Sequence, residues 1–157
     1  MRKNLKNQKG LTLMEILIVL AVLGIIIATV MFQFSKTRAN QVFQNGIADV
    51  LSALDKARGD TLSSLNSSTY GVHFQSNQVV IFKGTVYNSG ASDNQVITIV
   101  TPANITNVTF GGVSGNSGDI YFNRLSGSPS TTGTITLVAD DYSKTITISA
   151  TGVASTN

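Results

Sequence analysis

Residues 9–34 read KGLTLMEILIVLAVLGIIIATVMFQF, and the reading of this stretch decides the fold. From Ile16 to Phe32 it carries no charge, and with Leu11 to Met14 ahead of it the apolar run approaches the roughly 20 residues that cross a bilayer as a helix. Twelve residues between Ile16 and Phe32 are Leu, Ile, Val or Phe. Together they favour insertion by roughly 4 to 7 kcal/mol. Glu15 opposes this by a few kcal/mol, less at the membrane boundary than at its centre, so insertion wins. A secretory signal would be cut after the run at a small-residue site, and MFQFSKTRANQ (31–41) offers none. A plain signal anchor accounts for the hydrophobicity and the basic flank, but not for an acid inside the apolar segment.

The charge of the chain belongs to its first residues. Arg2, Lys3, Lys6 and Lys9 precede the apolar run and account for much of the formal charge of +3; without the first ten residues, seven bases face eight acids. A basic isoelectric point would otherwise suggest nucleic acid or anionic membrane. Here the bases hold the N-terminus on the cytoplasmic side. At 157 residues the chain has room for one anchoring segment and one small globular domain. Only 12% of residues are charged, and the abundance of Ser, Thr, Asn and Gly suits an exported β-rich domain. The absence of cysteine excludes disulfides and thiolate metal sites, so the domain must rest on its apolar core.

Lys9-Gly10-Leu11-Thr12-Leu13-Met14-Glu15 resembles the prepilin cleavage motif of type IV pilins and type II secretion pseudopilins. The resemblance implies a cut after Gly10 by a membrane-embedded aspartic prepilin peptidase and N-methylation of Leu11. Phe is the common first mature residue in that family, so Leu11 is a departure. Glu15 matches the family's acid at the fifth mature position, and Gly24 falls where many members have glycine. The implied partners are other pilins or pseudopilins in a hetero-oligomeric filament, the peptidase and an assembly-platform membrane protein. The implied location is the inner membrane, crossed once with the head outside, and then a filament in the periplasm or at the cell surface.

Physical chemistry supplies a role for Glu15. Cleavage creates an α-ammonium on Leu11 inside an apolar layer, where a charge needs a partner. When subunits stack, Glu15 of one can pair with Leu11 of another; at about 4 Å the Coulomb term is roughly 4 kcal/mol at an effective dielectric near 20, and less after desolvation. Its main effect is register.

After Phe34 the pattern becomes amphipathic: Val42, Phe43, Ile47, Val50, Leu51, Leu54, Leu62 and Leu65 recur mostly every three or four residues. This predicts one helix over about residues 11–65, with Gly46 and Gly59 as soft spots. Beyond Leu65 the period switches to two. Strands are predicted at 70–75, 78–84, 95–100, 104–110, 119–123, 134–139 and 144–149, with Ser76-Asn77 and Asp140-Asp141 as tight turns. NSGASDN, GGVSGNSG and SGSPSTTG are predicted loops. The fold class is α+β, a long N-terminal helix packed on an antiparallel sheet. The segments are a cleaved leader at 1–10, a transmembrane and polymerisation helix at 11–34, an amphipathic helix at 35–65 and a β head at 66–157. The pair Ala57-Arg58, the hairpin YGVHFQSNQVVIF, then IYFNRLSG, GTITL and TITISATGVAS resemble the GspH/FimT branch of minor pilins.

Nothing in the head composes a catalytic site, and neither a metal nor a cofactor is expected. His73 is the only histidine, which leaves no zinc set and no nucleophile–base pair to argue; a structural or surface role is expected. Asp119 and Asp140-Asp141 contain calcium-type ligands, but paired acids in a turn ordinarily serve the turn. The Asn-x-Ser/Thr triplets at Asn66, Asn104 and Asn107 are expected by chance in so hydroxyl-rich a chain. DNA binding, known in some minor pilins, is disfavoured by the neutral tail ATGVASTN and by scattered bases, Lys83, Arg124 and Lys144, beyond Arg58. The expected function is therefore structural, in a type IV pilus, a type II secretion pseudopilus or a competence pilus. The alternative is a pilus-tip module that binds DNA or a surface.

Overall fold

The computed structural model describes residues 10–156, apart from the side chains of Phe32, Gln33 and Ser35. Lys9 and the rest of the basic leader lie outside the described residues. The chain separates into two units, Met1–Thr37 and Arg38–Asn157. Helix α1, Leu13–Leu62, contributes to both. It begins two residues later and ends three residues earlier than the spacing predicted. Gly46 and Gly59 lie within it without interrupting it.

In the first unit every described residue from Gly10 to Met31 is exposed. Apolar side chains therefore point outward all round the helix, as they do in a segment solvated by lipid or by other helices rather than by its own chain. The segment is long and apolar enough to cross a membrane. Thr29, a polar interruption, donates its hydroxyl to the Ile26 carbonyl at 2.8 Å and so needs no outside partner.

In the second unit α1 supplies Phe43, Ile47, Val50, Leu54 and Ala57, alternately four and three residues apart, as one buried stripe. Gly46 faces Leu137, Ala103 and Ile99; a β-carbon there would stand 3.5–3.6 Å from them, so the glycine lets the helix lie close to the sheet. Leu62 and Leu65, expected on the buried stripe, are 42% and 44% exposed. Leu65 belongs to a 3-10 turn, Leu65–Ser67, that follows α1. Buried Thr61 marks the exit: its hydroxyl donates to the Ala57 carbonyl and accepts from the Tyr70 amide, each at 2.8 Å.

The strands are β1 (Tyr70–Gln75), β2 (Gln78–Lys83), β3 (Gln95–Thr98), β4 (Asn104–Phe110), β5 (Val113–Gly115), β6 (Gly118–Tyr121), β7 (Gly133–Ala139), β8 (Tyr142–Ile148) and β9 (Ala154–Thr156). They form a four-stranded sheet of order β3-β2-β1-β6 and a five-stranded sheet of order β5-β4-β7-β8-β9, with every pairing antiparallel. The α+β class holds, with two sheets. Both predicted tight turns are present: Gln75 pairs with Gln78 across Ser76-Asn77, and Ala139 with Tyr142 across Asp140-Asp141. The Ser76 carbonyl accepts from the Ile105 amide at 2.8 Å, tying the first hairpin to the second sheet, and the Asn77 carbonyl accepts from the Ile99 amide, just past β3, at 2.9 Å. β3 ends at Thr98, so the predicted strand at 95–100 is two residues too long.

Two strands depart from the predicted loops. β5 lies inside GGVSGNSG and pairs Phe110 with Val113 across Gly111-Gly112, both at positive φ, which glycine adopts without steric cost. β9 uses the C-terminal tail to pair with β8. On the solvent side of the five-stranded sheet, register aligns Ser114, Thr109, Thr134, Thr147 and Ser155 in one rung of hydroxyls.

Candidate functional site

The residues singled out for processing and assembly surround the start of α1. Thr12 closes the helix: its carbonyl accepts from the Glu15 and Ile16 amides at 3.1 and 3.2 Å, and its Oγ1 accepts from the Glu15 amide at 3.3 Å. This is an N-cap, satisfying a donor that the helix itself cannot. Gly10 and Leu11 consequently stand outside the helix and exposed. A β-carbon on Gly10 would meet nothing within 4 Å, so no packing within the described chain demands glycine there. Glu15 lies in the first helical turn, where a carboxylate faces the positive end of the helix dipole. It is exposed and has no ion-pair partner among the described residues. Gly24 likewise has no neighbour that a β-carbon would touch.

In the second unit His73 lies on the face of β1 opposite Val72 and Phe74. It is 9% exposed, more buried than a surface histidine. Its Nδ1 contacts the Asp119 carboxylate across the β1–β6 pairing. Its ring stacks on Tyr87 at 3.9 Å, and Tyr87 meets Phe82 edge-on at 5.6 Å. With buried Val80 and Phe82 these groups form a small second core under the segment after β2. Nε2 is buried without a partner, an arrangement that serves packing and offers no second ligand or nucleophile. Asp119 is engaged with His73, and Asp140 adopts φ 49° in the β7–β8 turn. No group of three or more metal-type side chains comes together among the described residues.

A polar cluster built from three of the segments that carry the family resemblance, Ala57-Arg58, IYFNRLSG and TITISATGVAS, holds one end of this unit. Arg58 Nε donates to the Gly127 carbonyl at 3.1 Å, and a terminal nitrogen donates to the Thr151 carbonyl at 3.2 Å. Arg124 donates to the Ser67 carbonyl at 3.1 Å and to Ser64 Oγ at 3.3 Å. One helix residue thus fastens two loops distant in sequence, and a second arginine fastens one of them to the helix exit. Gly127 and Gly152 adopt positive φ beside Arg58, and a β-carbon on Gly152 would strike the Gly127 carbonyl.

Comparison with known proteins agrees with both halves of this description. The prokaryotic N-terminal methylation motif matches residues 5–31, and the type II transport protein GspH family matches residues 47–152, more than half of the chain. No curated protein and no solved structure matches the chain. These are families of structural pilin-like proteins rather than enzymes. With an apolar N-terminal segment carrying the methylation motif and a family match that spans β1 to β8 of the two-sheet unit, the chain belongs to the type II transport protein GspH family and is a pilin-like pseudopilin.

Proposed function

We propose that the chain is a non-enzymatic minor pilin or pseudopilin, cut after Gly10, N-methylated on Leu11 and polymerised through its N-terminal helix. Residues 1–10 serve as the discarded leader, 11–34 as the membrane and polymerisation segment, 35–65 as the amphipathic helix and 66–157 as the head. The subunit waits in the inner membrane with its head outside. An assembly platform then moves it into a filament with other pilins in the periplasm or at the cell surface.

The observation that carries this reading is Glu15: an exposed acid in the first turn of α1, just ahead of an uncharged apolar run, with no ion-pair partner among the described residues. The new ammonium of a neighbouring Leu11 supplies the opposite charge, and the pair sets axial register. Gly10 supports it too. With no steric demand for glycine in the described chain, the requirement lies with a peptidase that takes an extended, small residue ahead of the capped helix.

Two measurements test it. Mass spectrometry of the mature protein should find an N-terminus at methylated Leu11; an intact Met1 refutes the processing step. Glu15→Ala should be processed normally yet enter filaments roughly tenfold less, as expected for the loss of about 1.4 kcal/mol of pairing. Wild-type incorporation of that variant refutes the register mechanism.

A further inference from the structure

Residues 85–93, between β2 and β3, are joined to the rest of the second unit by little besides one ring. Among the described residues, their hydrogen bonds stay within the segment or go to Asn94 at its end. The Asn88 carbonyl accepts from the Ala91 amide at 3.2 Å and from Asn94 Nδ2 at 2.8 Å, Asn88 Oδ1 accepts from the Gly90 amide at 3.0 Å, and the Ala91 carbonyl accepts from the Asn94 amide at 3.4 Å. Only Tyr87 and Ala91 are even partly buried, and Val86 is 77% exposed. Gly84, where the segment leaves β2, adopts φ 106°, and a β-carbon there would meet nothing within 4 Å, so this end turns without a steric stop. What seats the segment is the Tyr87 ring, stacked on His73 and edge-on to Phe82.

Closure has a cost beneath that ring. Register sets Asp119, His73, Val80 and Val96 in one row across the four-stranded sheet, on the face where Val80 and Phe82 are buried. A carboxylate only accepts, so in the neutral imidazole Nδ1 carries the proton toward Asp119 and Nε2 is left as an acceptor. That Nε2 is buried with no partner among the described residues, and so is Oδ1 of Asn94 at the end of the segment. A buried acceptor that no donor meets has given up its water without return. Lifting the segment hydrates His73 Nε2 and leaves the contact with exposed Asp119 in place.

We propose that residues 85–93 act as a strap that swings open as a unit about Gly84 and Asn94, with Tyr87 as its latch. Closed, the strap covers His73 and keeps Val80 and Phe82 from water. Open, it uncovers an apolar strip of the head that is absent from the surface in the closed state. A segment with few buried side chains and self-contained hydrogen bonds opens far more readily than the sheet beneath it unfolds. The orphaned nitrogen shifts the balance toward opening, and the ring stack shifts it back. The device is independent of processing and of filament entry.

His73 is the only histidine in the chain, so acylation of its Nε2 by diethyl pyrocarbonate reads the opening directly. Mass spectrometry follows it in the full chain in detergent, purified through a tag without histidine. Tyr87→Ala should raise the acylation rate roughly tenfold, and Tyr87→Phe, which keeps the ring, should leave it at the wild-type rate. Hydrogen exchange of the β1 amides, measured in parallel, should stay slow in all three proteins. Equal acylation of wild type and Tyr87→Ala overturns the inference, as does acylation in step with β1 exchange, since His73 is then reached only when the sheet unfolds. Chymotryptic cleavage after Tyr87 tests the orphaned nitrogen. His73→Phe keeps a ring beneath the latch and removes that nitrogen, and should slow the cut roughly tenfold. Cleavage of this variant at the wild-type rate or faster also overturns the inference, and this measurement decides alone should Tyr87→Ala fail to accumulate.

Discussion

Thr61 carries more of the fold than its type suggests. Its buried hydroxyl closes the end of α1 and receives the first amide of β1, so one side chain joins helix to sheet. Thr61→Val keeps the shape but orphans the Tyr70 amide, and should destabilise the chain by about 1–3 kcal/mol, measured by denaturant unfolding of the full chain in detergent. Arg58 acts similarly over a longer range. Arg58→Lys keeps the charge but cannot reproduce the forked contact to Gly127 and Thr151, and should lose about 1–2 kcal/mol in the same assay. Residue types told part of this beforehand. Glu15 was legible because an acid in an apolar run is anomalous in any fold. The partners of Arg58 were not, since they lie 69 and 93 residues away and no local pattern links them.

Among the elements, β4 shows how a strand corrects its own sequence. Strict alternation through Asn104–Phe110 would put Ile105 on one face and Val108 on the other. Register shifts between Ile105 and Asn107, leaving Thr106 as an extra residue, and both Ile105 and Val108 are buried in the core. β1 and β2 depart from alternation for another reason. Each is buried on both faces, by α1 on one and by the segment carrying Tyr87 on the other. The uninterrupted VVIF of β2 fits that double burial. Glycine is required where strands crowd: at Gly133 a β-carbon would strike the Thr109 carbonyl and the Phe110 ring. Gly133→Ala should therefore separate β4 from β7 and cost roughly 1–3 kcal/mol, visible as a lower thermal midpoint. Short β5 and β9 escaped prediction because three residues carry no detectable period; they exist because β4 and β8 offer them edges.

For the whole molecule, the two units obey different solvents. The first is apolar all round, the second amphipathic along its helix and packed around a core. Val22→Arg, in the middle of the apolar run, should cost about 3 kcal/mol of insertion and release a large fraction of the chain from carbonate-washed membranes, whereas Thr29→Val should leave it in place. The sequence alone determined the membrane-length helix, the anomalous acid, the α+β class and the principal strands, because hydrophobicity, charge and period are local properties. Only the tertiary structure decided that the strands divide into two sheets, that His73 is packed beneath Tyr87, and that two arginines share one end of the head. Those outcomes depend on contacts between residues far apart in the chain, and such contacts are chosen by how the packed elements fit together.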